Sequence, residues 1–285
     1  MRVSVLGLGN MGRSFATRAL DRGHEVRVWN RSPGRAGELV AKGGVEAKTV
    51  REAVAPADVT LVIVADDAAV ESVCLGVDGA VAALAPDGVL AQVSTVRPRT
   101  VRRVAEAGAE GRVLDAPVMG SPAAVSRGEA RFLLGGDAGT VSQLDPLWSD
   151  LGAGYVHCGP VGNGSAVKLV SNLQLVAGVT AMAEGICIAR AHGVDDDTLR
   201  KAFSDSFVVS PATRLRLDSL LDEAHPGWFP PHLARKDVRL AIELAKEGDV
   251  PARVAPANDD LLTKVIDSGR QWPDFSAVIE AYRQA

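Results

Sequence analysis

The chain has 285 residues, of which 47% are hydrophobic and 23% are charged. This balance is that of an ordinary globular protein, and the length predicts two domains or one large α/β unit with a sizeable core. The formal net charge is −4 and the lysines and arginines are scattered, so neither nucleic acid nor an anionic membrane is an expected partner. These values favour chemistry on small molecules.

The cysteines and the amino terminus both indicate a protein of the cytoplasm. Cys74, Cys158 and Cys187 are far apart and odd in number, which is typical of reduced thiols that pack as small buried hydrophobes rather than of a disulfide framework or a zinc site. The opening residues MRVSVLGLGN contain neither a basic segment nor a cleavage-like site, so a secretory signal is not expected.

In chain order, the sequence up to about residue 158 alternates short β-branched runs with helical segments. The runs that predict strands are VSVLGL, EVRVWN, VTLVIVA, GVLAQVS, RVLDAPV and RFLLGG. Strands that alternate with helices are typical of a parallel, doubly wound sheet of the Rossmann type. We therefore predict an α/β fold for this part of the chain.

The strand pattern stops after GPVGNG at residues 159–164. The remainder predicts helices at residues 165–192, 195–206, 210–224, 231–248, 251–269 and 274–284. We expect a first domain at residues 1–160 and an all-α second domain at residues 161–285, with the long first helix starting at the junction.

The long helix is apolar enough to resemble a membrane span, but four polar residues interrupt it. They are Lys168, Asn172, Gln174 and Glu184. Each would be costly in hydrocarbon, so the run predicts the core helix of a soluble protein.

The first motif lies between the first two predicted strands, where Gly7, Gly9 and Gly12 have the spacing GxGxxG. In this pattern Gly7 permits a tight turn, Gly9 lets the backbone approach a pyrophosphate, and Gly12 allows close packing of helix on strand. The strand, turn, helix and strand context favours dinucleotide binding over a glycine-rich structural turn. We also expect cofactor contacts from Asn10 and Met11.

The residues after the second predicted strand indicate which dinucleotide is bound. An acidic residue there would bind a ribose 2′-hydroxyl, whereas this chain has Asn30-Arg31-Ser32, with Arg35 a turn further on. Arg31 is a planar charged donor, and Asn30 and Ser32 donate without charge, so the group suits a 2′-phosphate. We predict NADP(H) as the cofactor; the alternative is that the arginines are solvated surface residues.

Lys168 is the unusual cation of the long helix. A lysine at a helix start is either a side chain that extends to solvent or a functional group, and composition alone leaves both open. The helix dipole and the apolar neighbours predict a pKa below the free value of about 10.4, as proton transfer near neutral pH requires. Asn172, four residues on, shares its helix face, and Gly164 permits close approach of another backbone or a ligand.

Several segments together resemble the β-hydroxyacid dehydrogenase family over nearly the whole chain. They are GLGNMG, NRS, VSTVRPRT, LDAPVMGSPAAVSRGEARFLLGGD, GNGSAVKLVSN, KDVRLA and DFSAVIEAYR. The resemblance implies that Lys168 is the catalytic lysine and that Asn172 adjoins it in the substrate site. It also implies that Thr95 contacts the nicotinamide and that Lys236 closes over cofactor and substrate. We add Val64 and Ala65, at the end of VTLVIVA, as cofactor contacts.

One segment departs from the family pattern. Where the family has a serine and two glycines that receive the substrate carboxylate, this chain has Met119-Gly120-Ser121-Pro122. Ser121 restores a hydroxyl and the N–H groups of Gly120 and Ser121 remain anion donors, while Pro122 stiffens the loop. We predict Met119, Gly120 and Ser121 as substrate contacts. The turn also resembles that of imine reductases, although these commonly replace the lysine with aspartate or tyrosine.

The remaining polar and aromatic residues carry weaker signals. The five histidines, His24, His157, His192, His225 and His232, lack metal-like spacing, so no metal is predicted. Asp66 and Asp67 are expected at a polar rim or a helix cap. The larger aromatic residues Trp228, Phe229 and Trp272 are expected in the core or at a subunit contact.

Together these features predict an NADP(H)-dependent oxidoreductase. Its first domain binds the cofactor, its helical second domain contributes to substrate binding and dimerisation, and a small carbonyl compound or hydroxy acid reacts between them. Two alternatives stay open: an imine reductase on the same fold, and a non-catalytic NADPH-binding scaffold. The long apolar helix predicts a homodimer or higher homo-oligomer formed through the α-domain.

Overall fold

The computed structural model describes residues 1–108, 111–222 and 224–282. The chain divides into two compact units, Met1–Lys168 and a second unit from Leu169 onward. This division falls within one helix, Asn163–Ala191, so the domain boundary predicted after residue 160 stays a prediction.

The first unit contains a parallel sheet of six strands among the described residues. In chain order they are β1 Arg2–Leu6, β2 Glu25–Trp29, β3 Val45–Glu46, β4 Val59–Val62, β5 Val89–Gln92 and β6 Val113–Asp115. The spatial order is β3-β2-β1-β4-β5-β6, which reverses between β1 and β4 and so leaves a crevice at their carboxyl ends. The central strands β4 and β5 are buried throughout because helices cover both faces. The predicted doubly wound sheet is confirmed.

A second, three-stranded sheet contains β7 Val118–Met119, β8 Arg131–Leu134 and β9 Tyr155–His157. RFLLGG forms a strand, β8, as predicted, but its expected place in the parallel sheet was wrong, because β8 lies outside that sheet and pairs antiparallel with β7. RVLDAPV is also two strands, since Pro117 lacks an N–H and interrupts the ladder. The short strands β3 and β9 were not predicted; their alternation is too brief to be recognised.

The helices of the first unit pack on both sheets. They are α1 Asn10–Asp21, α2 Gly37–Ala41, α3 Val50–Val54, α4 Asp67–Cys74, α5 Ala80–Ala83, α6 Pro98–Ala107, α7 Pro122–Arg127, α8 Ala138–Gln143 and α9 Asp145–Leu151. Helix α1 buries Phe15, Ala16 and Ala19 as its periodicity predicts. Phe15 lies 5.6 Å from the ring of Phe132 on β8, and that ring lies 5.0 Å from Trp148, so one aromatic row joins α1 to the second sheet.

In the part of the second unit that the structure describes, the regular elements are all helices, as predicted. Its elements are α10 Asn163–Ala191, which begins in the first unit, α11 Asp196–Ser204, α12 Pro211–Arg214, α13 Leu217–Leu221, α14 Pro231–Glu247, α15 Val254–Asp267 and a 3₁₀ segment Phe275–Tyr282. Its apolar core includes Val176, Leu220, Val238 and Phe275.

Two helices of this unit differ from the prediction. The helix expected at 210–224 is divided into α12 and α13, where Arg216 turns inward to a buried ion pair with Asp274 at 2.8 Å. The helix expected at 274–284 is the 3₁₀ segment, and residues 223, 283 and 284 lie outside the described ones. Both differences depend on tertiary contacts, which helical periodicity does not encode.

Helix α10 is also the one helix among the described residues that is long and apolar enough to cross a membrane, judged by length and composition alone. It is less buried than its sequence predicts, because Val167, Val170 and Ile188 are exposed. The cysteines likewise differ in part from the prediction: all three are free thiols, but only Cys74 is buried, while Cys158 and Cys187 are half-buried.

Candidate active site

The glycine motif forms the turn between β1 and α1. Gly7 has a positive φ of 101°, and a Cβ there would lie 2.1 Å from the carbonyl oxygen of Ile63. A Cβ on Gly12 would lie 1.9 Å from the carbonyl oxygen of Gly7. Both positions exclude every side chain, so internal packing explains these two glycines.

Gly9 differs from its two neighbours. Its φ is −70°, which any residue adopts, and a Cβ there would meet nothing within 4 Å. Gly9 precedes α1, whose first turn has neither a side-chain cap nor an acidic residue. Open space beside uncapped backbone N–H groups fits a pyrophosphate, which needs close approach and positive potential. The residues of the loop therefore fit a dinucleotide, with Asn10 exposed and Met11 half-buried in the same turn.

Asn30 supports this loop from the end of β2. Its Oδ1 accepts a hydrogen bond from the Leu8 N–H at 2.9 Å, and its Nδ2 donates to the Ser32 carbonyl at 2.8 Å. The Asn30 amide thus fixes the shape of the turn, and its predicted contact with the cofactor phosphate stays a prediction. Arg31 and Arg35 are exposed and form no ion pair with any described residue, so two uncompensated cations lie near this turn.

The segments after β4 and β5 are joined by Ser94. Its Oγ accepts a hydrogen bond from the N–H of Val64 at 2.8 Å, and the Gln92 side chain bonds both the N–H and the carbonyl of Ser94. This network fixes the backbone beside Ala65 and the half-buried Thr95, which are the positions predicted to contact the cofactor. Gln92 and Ser94 are buried and were not predicted.

Two adjacent aspartates have different roles in the next helix. Asp66 caps α4 through the Ala69 N–H at 2.8 Å, as predicted. Asp67 is buried and accepts hydrogen bonds from the Thr100 hydroxyl and from both the backbone N–H and the guanidinium of Arg97, at 3.0 and 3.2 Å. Burial alone would raise the pKa of Asp67, but the bonds from Thr100 and Arg97 outweigh it, and the pKa is lowered. Asp67 therefore anchors the loop that follows Thr95.

The predicted substrate loop lies between β7 and α7. Gly120 has a positive φ of 152°, and a Cβ there would lie 2.9 Å from the Cβ of Ala130, so the turn requires glycine. Ser121 caps α7, with its Oγ accepting from the Ala124 N–H at 3.0 Å. The hydroxyl proton of Ser121 is still available to donate. Met119 is half-buried on β7, opposite Arg131.

Lys168 and Asn172 both lie on α10, four residues apart, a spacing that gives them one helix face. Lys168 is half-buried, five residues after the first residue of the helix.

Within the second unit, Asp237 on α14 joins two predicted site residues. Asn172 donates from Nδ2 to Asp237 Oδ2 at 2.5 Å, and Lys236 Nζ lies 2.9 Å from Asp237 Oδ1. Asp237 is 3% exposed. It was not predicted, although an acidic residue on the buried face of α14, next to Lys236, is a usable signal.

The weaker candidates occupy structural positions. His225 is buried, with hydrogen bonds to Ser276 and Glu280, and Trp272 packs edge-on against it at 5.1 Å. Phe229 belongs to the second core, whereas Trp228 is partly exposed. In the described ranges, no group of three histidine, cysteine or acidic side chains has a metal-binding arrangement.

Two family models match this chain. The model of the NAD-binding domain of 6-phosphogluconate dehydrogenase matches residues 2–159, and the model of NAD-binding of NADP-dependent 3-hydroxyisobutyrate dehydrogenase matches residues 162–282. Glyoxylate/succinic semialdehyde reductase 1 of Arabidopsis thaliana is 31% identical, with 99% of each chain covered. The chain belongs to the β-hydroxyacid dehydrogenase family. It is an oxidoreductase that binds a nicotinamide nucleotide.

Other relatives and neighbours are named for other reactions, and one of them for NAD. NAD-dependent L-serine dehydrogenase of Pseudomonas aeruginosa is 29% identical, covering 97% of this chain and 96% of its own. Among solved structures, 3-hydroxyisobutyrate dehydrogenase of Mycobacterium tuberculosis has a TM-score of 0.84 at 26% identity, covering 99% of both chains. An imine reductase of Myxococcus stipitatus shares the fold, with a TM-score of 0.67 at 22% identity, covering 99% of this chain and 100% of its own.

Proposed function

We propose that the protein is an NADP(H)-dependent oxidoreductase that interconverts a small semialdehyde or related carbonyl compound and the corresponding hydroxy acid. The observation that carries the proposal is the placement of Lys168 and Asn172 on one face of α10, with the Asn172 amide fixed by the buried Asp237. Family membership supports the same reaction type, since relatives are named for semialdehyde reduction and hydroxyacid oxidation.

The bound nicotinamide would supply or accept the hydride at its C4. In reduction, the Lys168 ammonium polarises the substrate carbonyl and gives a proton to its oxygen. In oxidation, the neutral amine removes the hydroxyl proton, so the oxidation rate rises with pH while the reduction rate falls. Asn172 donates to the same oxygen or to its neighbour and fixes the orientation of the substrate.

The carboxylate of the substrate would bind at the turn between β7 and α7. The N–H groups of Gly120 and Ser121 and the Ser121 hydroxyl are donors there, and their number suits one carboxylate. The thioether of Met119 adds apolar surface where relatives have a hydroxyl, so we propose a substrate with an apolar group next to the carboxylate end.

We propose NADP(H) rather than NAD(H) because Arg31 and Arg35 are exposed and unpaired among the described residues, while β2 ends without an acidic residue. A guanidinium binds a 2′-phosphate through paired charged hydrogen bonds. An acidic residue would instead select the 2′-hydroxyl of NAD.

We also propose that the protein acts as a cytoplasmic homodimer or higher homo-oligomer formed through α10. Val167, Val170 and Ile188 form part of an exposed apolar face of this helix. A second copy would bury that face, and the polar residues along α10 make a protein surface a better partner for it than lipid.

An imine reductase is the second candidate. The Met119-Gly120-Ser121-Pro122 turn favours it, because it replaces the family's carboxylate-binding serine, whereas Lys168 favours the hydroxyacid reaction.

One screen separates the candidates. NADPH oxidation is measured with semialdehydes, 2-oxo acids and cyclic imines, and NADH is run in parallel. Turnover of semialdehydes supports the proposal, turnover of cyclic imines alone supports the second candidate, and tight NADPH binding without any turnover favours a non-catalytic scaffold.

A further inference from the structure

We infer that Asp115 is a positioning residue for Lys168, which it holds in place through the first turn of α10; the inference rests on the acid–base role proposed for Lys168. Asp115 is the last residue of β6, at the carboxyl edge of the parallel sheet, and is fully buried. Its register partner on β5 is Gln92, whose side chain donates a hydrogen bond to the carbonyl of Ser94, next to Thr95.

The carboxylate of Asp115 caps α10 from outside the helix. Its Oδ2 accepts from the backbone N–H of Ser165 at 2.6 Å, and the backbone of Gly162 donates to it as well. Ser165 is the third residue of α10, so its N–H is one of the first four that have no partner inside the helix. A carboxylate at this end also complements the helix dipole.

The backbone of Asp115 also connects this end of β6 to the second sheet. Its N–H donates to the Gly135 carbonyl at 3.0 Å, and its carbonyl accepts from the Gly135 N–H at 2.8 Å. A single residue therefore connects β6, the end of β8 and the start of α10.

Two glycines leave room for this carboxylate. A Cβ on Gly135 would lie 2.0 Å from Asp115 Oδ1, and a Cβ on Gly164 would lie 3.0 Å from Oδ2 and 2.3 Å from the Leu133 carbonyl oxygen. The space around the carboxylate is thus closed on two sides, which leaves the first turn of α10 little freedom to shift. Lys168 is three residues beyond Ser165 and lies one turn along the same helix.

This arrangement matters for proton transfer because catalysis is sensitive to small displacements. A misplacement of about 1 Å costs on the order of 10²-fold in rate. Without the cap, the first turn of α10 loses a charged hydrogen bond, and the ammonium of Lys168 loses its fixed position relative to a bound substrate.

The test compares Asp115→Ala with Asp115→Asn, whose amide oxygen can still accept from Ser165. Single-turnover NADPH oxidation is measured with succinic semialdehyde as the probe. We expect a loss of roughly tenfold or more in Asp115→Ala, an NADPH affinity within about twofold of the wild type, and recovery of most of the rate in Asp115→Asn. Asp195→Ala, which removes the cap of α11 in the second unit, is the matched control and should keep the wild-type rate.

A double mutant distinguishes positioning from a general structural role. If Asp115 acts through Lys168, the two residues act as one unit. Adding Asp115→Ala to Lys168→Ala should then lower the single-turnover rate by no more than about twofold further. Full additivity of the two losses overturns the inference, as does a wild-type rate in Asp115→Ala. Asp115→Ser, whose hydroxyl is too short to reach Ser165, replaces the alanine variant if that variant does not fold.

Hydrogen exchange supplies a readout that does not need turnover. Backbone amides of residues 163–168 should exchange at least tenfold faster in Asp115→Ala than in the wild type, and unchanged exchange overturns the inference. A wild-type hydride-transfer rate in Lys168→Ala contradicts the proposed function instead, whereas a slow Lys168→Ala with a normal Asp115→Ala contradicts only this inference.

Discussion

Asn172 and Asp237 form a buried hydrogen bond of 2.5 Å between α10 and α14. The second oxygen of Asp237 lies 2.9 Å from Lys236 Nζ, so the carboxylate orients two residues assigned to the site. Removing it takes the hydrogen-bond acceptor from a buried amide and one ionic contact from a partly buried ammonium. Breaking such a buried pair is strongly destabilising.

We predict that Asp237→Ala lowers the free energy of unfolding by about 3 kcal/mol and lowers kcat/KM by roughly tenfold or more. Asp259→Ala is the matched control, because it breaks an exposed pair with Arg239 on the same helix α14 and should cost less than about 1 kcal/mol. Denaturant unfolding and steady-state kinetics measure both effects. Equal losses in the two variants would show that Asp237 has no special role.

Gly9 and Gly12 should respond differently to alanine. A Cβ on Gly9 enters open space, so Gly9→Ala should fold with at least wild-type stability. It should weaken the binding of both NADPH and NADH by roughly tenfold or more, because the methyl group occupies the space for the pyrophosphate. Gly12→Ala should instead destabilise the first unit, because its Cβ would lie 1.9 Å from the Gly7 carbonyl oxygen. Thermal unfolding and cofactor titration decide between these outcomes. An NADPH affinity unchanged in Gly9→Ala would contradict the assignment.

The choice of cofactor depends on Arg31. Arg31→Ala should weaken NADPH binding by about 1–3 kcal/mol, the range for a charged hydrogen bond, and leave NADH binding nearly unchanged. Arg127→Ala is the control, since Arg127 at the end of α7 is also exposed but pairs with Glu129. A wild type that prefers NADH, or equal losses for the two cofactors, would rule out the NADP(H) assignment.

The contribution of the Asp67 carboxylate to the free energy of unfolding should depend on pH. The pKa of Asp67 is lowered in the folded state, so its contribution is fully present above the ordinary carboxyl pKa of about 3.9 and is lost as the pH falls through the lower folded value. We predict that Asp67→Asn is less stable than the wild type at pH 7 by about 2 kcal/mol, and that the difference shrinks below about pH 4. Urea unfolding from pH 7 to pH 3 measures it. A difference that stays constant over this range would contradict the lowered pKa.

The elements set by local sequence were predictable. The GxGxxG turn, the strands β1, β2, β4 and β5 and the long helix α10 follow from residue periodicity and glycine spacing. The second sheet was predictable only in part. RFLLGG predicts β8, but β7 and β9 contain too few alternating residues to be recognised, and Pro117 divides the run in which β7 lies.

The long-range contacts that support the site were missed for a different reason. The partners of Asn30, Asp67, Asp115 and Asp237 are 22, 30, 50 and 65 residues away in sequence. No short-range pattern marks such pairs, since the fold alone brings them together. The roles of Lys168, Ser121 and Thr95 stay predictions, with Ser121 now placed at the start of α7.

The proposed proton transfer depends on Lys168. Lys168→Ala should fold and bind NADPH but lose roughly 10²–10⁴-fold in turnover, the usual contribution of a positioned acid or base. Lys168→Arg should restore little, because a guanidinium does not give up its proton near neutral pH. The matched control is Lys264→Ala, which removes an exposed lysine of α15 paired with Asp260.

The most direct measurement is single-turnover hydride transfer from saturating NADPH to succinic semialdehyde in wild type, Lys168→Ala and Lys168→Arg. We expect a fast transient in the wild type and a transient slowed roughly 10²-fold or more in both variants. A rate near that of the wild type in either variant would contradict the proposed proton transfer and leave Lys168 as a structural residue of α10.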